Sequence, residues 1–501
     1  MTTAAKAWQA LTDWKPQKIA DLVATDPAAR LQAMVRSVAD IRFDFAKTHL
    51  DDAAVSILSD LAAAQDFAGR RKTLFAGGIA NPTENRAAEH SAERGEGAPE
   101  SVHRAQALHQ RMRMLVDAIE AGAFGEIRHL LHIGIGGSAL GPDLLVDALG
   151  RHNSRYDVAV VSNVDGAALS EAFAKFSPEH TLVAVASKTF TTTETLLNAA
   201  SALQWLEEAG VEDPTGRFIA LTANPEKAME WGVDETRILP FSETVGGRYS
   251  LWSSIGFPAA LALGWDAFAE LLEGAAEMDR HFRLANGADN VCLLAAFVDQ
   301  LYANRLRCQT RAVFAYDERL RLLPDYLQQL EMESNGKAVT LDGKPLDHAS
   351  AAITWGGVGT DAQHAVFQLL HQGTHLTPVE FVVAREPDHL LDDAHHETLV
   401  ANCIAQGAAL MTGRASDDGA RNYPGDRPST TILLDQVSPH SLGALIAFYE
   451  HRVFANAVLL GINPFDQFGV ELGKEMAKGL AEGTVEFDPA TQALMKAALG
   501  E

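Results

Sequence analysis

Two periods of apolar residues alternate along the 501 positions of this chain. Over residues 4–63 the spacing is helical, as in Met34, Val38 and Ile41 or Val55, Leu58 and Ala62, and it predicts a helical N-terminal segment. The polar, Gly-containing stretch from Glu93 to Pro99 marks a loop or junction. Beyond it, short apolar runs at 127–133, 156–162, 181–186 and 218–222 predict four strands with helical segments between them. A helix-rich stretch over 265–307 leads to a second group of strands at 312–315, 351–355, 380–384 and 430–434. Strands and helices that alternate in this way build parallel sheets covered on both faces. Two α/β units are therefore expected, copies of one architecture without a visible sequence period. Residues 441–460 predict a long apolar-striped helix, and another helix begins after Asn463-Pro464 and runs into an acidic tail.

Composition narrows the partners. An apolar content of 47% supports sizeable cores, and 21% charged residues fit a globular chain. The formal net charge of −25 argues against nucleic acid, whose phosphates demand Lys and Arg. It also repels small anions at long range, so any phosphate site has to be locally basic. The three cysteines, Cys292, Cys308 and Cys403, are far apart and lack metal-ligand spacing, as reduced buried thiols do. The first thirteen residues carry no apolar core of a signal peptide, and apolar runs stay shorter than a membrane span. A cytoplasmic protein, soluble and without nucleic-acid or membrane partners, is expected.

Candidate chemistry gathers where strands meet helices. Ser187-Lys188-Thr189-Phe190-Thr191-Thr192 lies between the run at 181–186 and a helical stretch beginning near Glu194. Hydroxyls, a lysine and unpaired amides at that junction make an anion site, since one cap residue would suffice for the helix alone. Gly134-Ile135-Gly136-Gly137-Ser138-Ala139 fits a dinucleotide loop, with Asp165 near the expected distance, and equally fits a backbone approaching a sugar phosphate beside Ser138. Gly246-Gly247-Arg248-Tyr249-Ser250 offers a lone guanidinium or an ordinary surface turn. Gln329 to Lys337 holds Glu331 and Glu333, which share a face if the segment is extended and point apart if it is helical. Either could be a general base, and a solvated helix end is the plainer reading. The Gly-rich approach at 356–359 precedes a helix with His364, Gln368 and His371 along one stripe. Gln467, Glu471 and Lys474 fall on one face of the helix after Pro464. Asp392, Asp393, His395, His396 and Glu397 read as an acidic helix start and not as a metal site.

Together these segments resemble the glucose-6-phosphate isomerase family. The matching stretches are 134–142, 187–195, 246–255, 329–337, 359–373 and 465–474, in order along the chain. Thr83-Glu84-Asn85-Arg86-Ala87 is similar to that family's N-terminal motif, although Ala88, Glu89 and Glu93 stand where the family usually carries aliphatics. The resemblance implies an α/β fold of two doubly wound sugar-isomerase-type (SIS) domains with parallel-rich sheets, a helical N-terminal segment and a C-terminal arm. The expected divisions are 1–99, packing with the large domain, 100–264, 265–470 and 471–501. It implies a homodimer that interconverts glucose 6-phosphate and fructose 6-phosphate in glycolysis and gluconeogenesis, with no metal or organic cofactor.

Carried over residue by residue, the resemblance makes Ser187, Lys188, Thr189 and Thr192 the phosphate holders, with Gly137 and Ser138 nearby. Glu333 becomes the base that moves a proton between C1 and C2 through a cis-enediolate, and Arg248 the cation that stabilises that intermediate. His364, contributed by the partner subunit, and Lys474 would open the sugar ring, while Gln329 and Gln467 position the sugar. The competing expectations are an isomerase that also accepts mannose 6-phosphate, a nicotinamide-dependent oxidoreductase built on the Gly134 loop, and a non-catalytic sugar-phosphate sensor.

Overall fold

The structure, a computed structural model, describes residues 2–500. Helices cover Thr3–Asp13 and Asp52–Ala64, but a hairpin interrupts the expected helical segment. Strands β1 (Val35–Val38) and β2 (Ile41–Asp44) pair antiparallel, with Val35 opposite Asp44 and Val38 opposite Ile41. The helical reading of Val38 and Ile41 is thereby corrected. Ala39 and Asp40 take φ of 52° and 60°, the paired left-handed conformation that reverses a chain in two residues. Ile41 and Phe43 are buried on one side while Arg42 faces solvent, an alternation too short to stand out against the helical period around it.

The expected parallel sheets follow. In the smaller, β3 (His129–Gly134), β4 (Asp157–Val161), β5 (Thr181–Ala186), β6 (Phe218–Thr222) and β7 (Ile238–Pro240) run parallel in the order β4-β3-β5-β6-β7. In the larger, β8 (Thr310–Tyr316), β9 (Ile353–Val358), β10 (Val379–Ala384) and β11 (Ser429–Leu434) are parallel in the order β9-β8-β10-β11. The hairpin extends this sheet, with β2 antiparallel to β11. Both parallel sets therefore use one winding: the first strand is central, the second lies on one side and the third on the other. A doubly wound sheet opens a crevice at the carboxyl ends of its first and third strands, where successive connections leave in opposite directions. In the smaller sheet those strands are β3 and β5.

Every residue of β5 is buried, and Val183 and Val185 pack with Leu131, Phe190 and Phe218 in one apolar cluster. Phe314, Phe367 and Phe381 centre the cluster of the larger sheet. The helix Pro439–Leu460 starts with a reciprocal cap between Ser438 and Ser441 and is buried from Ser441 to Leu460. It packs along the helix Trp265–Leu284 so closely that a Cβ on Gly443 would lie 2.0 Å from the Leu271 carbonyl oxygen. Its charged residues are paired, as buried charges must be. Arg94 donates to both oxygens of Asp279 at 2.7 Å and reaches Glu450, while Arg452 donates to Asp299 and Glu380 at 2.6 Å.

All three cysteines are free and buried, and burial pushes the Cys308 and Cys403 thiols up to about 12. Among the described residues no helix is long and apolar enough to cross a membrane. By its internal contacts the chain divides into a unit ending at Pro464 and a second beginning at Phe465. The second holds the helices Glu471–Glu482 and Pro489–Leu499.

Candidate active site

The carboxyl ends of β3 and β5 deliver the two loops that the sequence singled out. Beyond β5, Ser187 is buried, and its hydroxyl lies 3.1 Å from that of Thr192. Thr192 stands at the cap of the helix Thr193–Glu208, yet no side chain closes the amides of that helix start. Elsewhere Asp165, Asn224 and Ser438 do cap their helices. The start at Thr193 leaves its first amides and the positive end of its dipole without a side-chain acceptor, as the starts of the helices Leu140–Gly150 and Asp361–Gln372 also do. Phe190 takes a left-handed φ of 52° with its side chain buried, which turns the loop and anchors it. Thr189 and Thr191 pair through their hydroxyls at 2.7 Å.

Lys188 spans from this loop to the next. Its ammonium donates to the carbonyl oxygens of Glu243 at 2.8 Å and Val245 at 3.0 Å. Burial, followed by the positive charges of Arg86 and Arg248, lowers its pKa to about 8, against the opposing pull of Glu84 and Glu243. A basic spot thus exists within an acidic chain, as a phosphate site requires. Two members of the motif at 83–87, Glu84 and Arg86, flank this lysine, which local sequence could not show.

Beyond β3, the turn Gly136–Ser138 meets the Arg248 segment. A Cβ on Gly137 would fall 2.3 Å from the Gly247 carbonyl and 2.6 Å from the Arg248 nitrogen, so glycine allows the two backbones to touch. A Cβ on Gly136 would sit 3.0 Å from the Gln329 amide nitrogen, placing Gln329 at the same turn. Arg248 is buried, donating from Nε to Ser334 Oγ at 2.6 Å and from Nη2 to the Pro464 carbonyl at 2.5 Å. The Tyr249 hydroxyl lies 2.9 Å from the same Ser334 Oγ. With the rest of its fork fixed, Arg248 presents Nη1 to Glu333 Oε1 at 3.6 Å.

Glu333 belongs to the helix Leu323–Asn335, which resolves the open choice between extended and helical conformations. Glu331 turns inward, accepting from Asn335 Nδ2 at 3.2 Å, with Arg311 3.9 Å away. Glu333 turns toward Arg248, and its Oε2 is buried with no hydrogen-bond partner. A carboxylate oxygen held dry beside a fixed guanidinium is suited to taking a proton from carbon.

His364 is exposed on the helix Asp361–Gln372 and lines a separate cleft of about 550 Å³ with Gln368 and His371. Lys474 lies in the second unit, on the helix Glu471–Glu482. Gln467 precedes that helix, with φ −153° and ψ 42°, so the expected common helical face with Glu471 and Lys474 is corrected. The helix begins only at Glu471, after the 3-10 turn Phe468–Val470. Asp165 spends a carboxylate oxygen on capping the helix Gly166–Lys175, accepting from Ala167 N at 3.0 Å. Asp392 likewise accepts from Ala394 N at 2.9 Å, and no cluster of ligating side chains fit to hold a metal ion occurs among the described residues. Sequence reasoning missed Tyr249 and Ser334 as supports of Arg248, and His90, whose ring stacks on Tyr249 at 4.7 Å.

A doubly wound pair of sheets, with a hydroxyl- and lysine-bearing loop at one switch point and a carboxylate–guanidinium pair beside it, is the architecture of an α/β enzyme. Comparisons with known proteins specify which kind. The model of the family described as Phosphoglucose isomerase matches residues 44–495. The chain is 89% identical over 501 residues, the whole of both chains, to the glucose-6-phosphate isomerase of Sphingopyxis alaskensis. It is 70% identical, again over the whole of both chains, to that of Rhizorhabdus wittichii. A crystal structure of a glucose-6-phosphate isomerase from Chlamydia trachomatis superposes with a TM-score of 0.90 at 30% identity, covering 100% of this chain and 99% of that one. The chain belongs to the phosphoglucose isomerase family and is an isomerase.

Proposed function

We propose that this isomerase interconverts glucose 6-phosphate and fructose 6-phosphate by proton transfer on Glu333. The observation that carries the reading is the unpartnered, buried Oε2 of Glu333 beside Arg248. In the aldose-to-ketose direction Glu333 takes the proton from C2 and returns it to C1, while the hydroxyl proton passes from O2 to O1. Arg248 faces the negative charge of the cis-enediolate that forms between these steps, and its fixed position means no reorganisation at the moment of reaction. Ser187, Lys188, Thr189 and Thr192 hold the phosphate with Gly137 and Ser138, and Gln329 and Gln467 orient the sugar. Lys474 and His364 exchange protons with the ring oxygen and the O1 hydroxyl to open the pyranose. The exposure of His364, in a cleft whose lining excludes Glu333 and Arg248, favours its donation to a second copy in a homodimer.

The same reading puts the enzyme in the cytoplasm and divides the chain at 99, 264 and 470. The confinement of β3–β7 to 129–240 and of β8–β11 to 310–434 supports that division. The test is a coupled assay on fructose 6-phosphate, with and without chelator, together with tritium exchange between solvent and substrate carbon. Turnover that survives chelation, with exchange that disappears in Glu333→Gln, is expected. Turnover lost on chelation, or exchange undiminished in Glu333→Gln, would overturn the mechanism.

A further inference from the structure

Glu89 is a buried carboxylate that the mechanism above does not use, and its contacts converge on one turn. Its Oε2 accepts from the Thr244 hydroxyl at 2.7 Å, and its backbone N–H donates to the Thr244 carbonyl at 3.1 Å. The Ser101 hydroxyl and the Arg104 guanidinium, the latter at 3.2 Å, hold the carboxylate from the other side. Thr244 is therefore fixed at both its hydroxyl and its carbonyl. Its two neighbours in the chain, Glu243 and Val245, supply the carbonyl oxygens that bind the Lys188 ammonium.

An ammonium has three N–H donors, so two carbonyl acceptors aim the third in one direction. We propose that Glu89 is a positioning residue for phosphate. By clamping Thr244 it fixes the 243–245 turn, and the turn fixes Lys188 with one donor left for the ligand. The carboxylates that act on the charge of Lys188 are Glu84 and Glu243. Glu89 works through the backbone of the turn, so its loss alters where the ammonium points. This inference rests on the assignment of Lys188 to the substrate's phosphate.

Steady-state kinetics on Glu89→Leu, Thr244→Val, the double variant and Lys188→Ala test it. Each clamp variant should raise KM for fructose 6-phosphate about fivefold to tenfold, the size of one weakened charge-assisted hydrogen bond. Because phosphate is only the handle, kcat should stay within about twofold, and the inhibition constant of inorganic phosphate should rise in parallel with KM. The double variant should be no worse than either single, since both remove the same link. Glu89→Gln, which keeps an acceptor for Thr244, should recover most of the affinity. An unchanged KM in Thr244→Val, a partly exposed position that should not impair folding, overturns the clamp even if Glu89→Leu fails to fold. So does a double variant whose effect is the product of the singles. Lys188→Ala separates the two failures. If its KM is normal, the phosphate assignment of Lys188 is wrong; if its KM rises while the clamp variants stay normal, only the role of Glu89 is wrong.

Discussion

Glu331 and Glu333 sit two positions apart on one helix and differ in what surrounds them. Glu331 faces a buried ionic network: Arg311 donates to Asp299 at 3.1 Å, Arg452 bridges Asp299 and Glu380, and Asn335 ties Glu331 to the Val453 carbonyl. Glu333 faces the crevice, with one oxygen 3.6 Å from Arg248 and the other unpartnered. Folding gives the first carboxylate a hydrogen bond on one oxygen and a guanidinium 3.9 Å from the other, and leaves the second with one oxygen buried and unpartnered. The contrast separates a carboxylate that ties the helix to its surroundings from one the helix leaves facing the crevice. A buried acceptor without a donor costs stability, and a position that keeps one anyway is a candidate for function.

Exchanging the two roles by mutation is the strongest way to break this comparison. Glu333→Gln removes the base and keeps the shape, and should lower kcat by about 10³-fold to 10⁴-fold, the upper range for loss of a general base. Inhibition by inorganic phosphate should stay within about twofold of the parent, and the melting temperature should hold or rise, because an unsatisfied charge has been removed. Near-normal turnover in the coupled assay would make Glu333 a bystander.

Glu331→Leu asks the opposite question. Asn335 and Arg311 lose an acceptor in a buried site, so stability to urea should fall by about 1–3 kcal/mol. Turnover of the folded fraction should change by less than about threefold. Burial raises the Glu331 carboxyl above its ordinary range. The folded state therefore holds this proton to a higher pH than the unfolded chain does, and the contribution of Glu331 to stability declines as pH rises from the unfolded carboxylate range through the folded one. Glu331→Leu should remove that decline from a pH series of urea midpoints. A loss of turnover comparable to that of Glu333→Gln would erase the distinction between the two carboxylates.

The distinction was half legible in the sequence, for a physical reason. A strand buried on both faces is a continuous apolar run, so β5 and β6 fall where such runs predicted them. The hairpin β1–β2 and the three-residue β7 are too short to set a period, and tertiary pairing decides them. The loops at Gly134 and Ser187 stood out because glycines, hydroxyls and a lysine at a strand-to-helix junction are local features of sequence. The choice between Glu331 and Glu333 was not local. It depends on Arg311, Asn335 and Arg248, and the last of these lies far back in the chain, joined to Ser334 through a 2.6 Å hydrogen bond. The Glu84 and Arg86 environment of Lys188 was hidden for the same reason, since contacts between distant segments leave no spacing to read.

Lys188 supplies the finest test, because it is a charged group satisfied only by neutral carbonyls. Its pKa of about 8 in the free enzyme means that it loses its charge within an accessible pH range. Phosphate monoesters are dianionic above pH of about 6, so only the enzyme side titrates there. Affinity for a non-isomerisable phosphate monoester such as glycerol 3-phosphate, measured by inhibition, should fall about tenfold between pH of about 7 and 9, since each unit above the pKa costs a factor of ten. Lys188→Arg should flatten this profile, because a guanidinium keeps its charge throughout. Stability should move the other way. The folded lysine releases its proton near pH 8, whereas the unfolded one keeps it until about 10.4, so the unfolded chain binds more protons across that window and stability rises with pH. Phosphate affinity that falls while the urea midpoint climbs, both dependent on Lys188, would mark this residue as held out for substrate, the role proposed for Glu333. If neither property changes between pH of about 8 and 10, Lys188 belongs with Glu331 as a part of the scaffold.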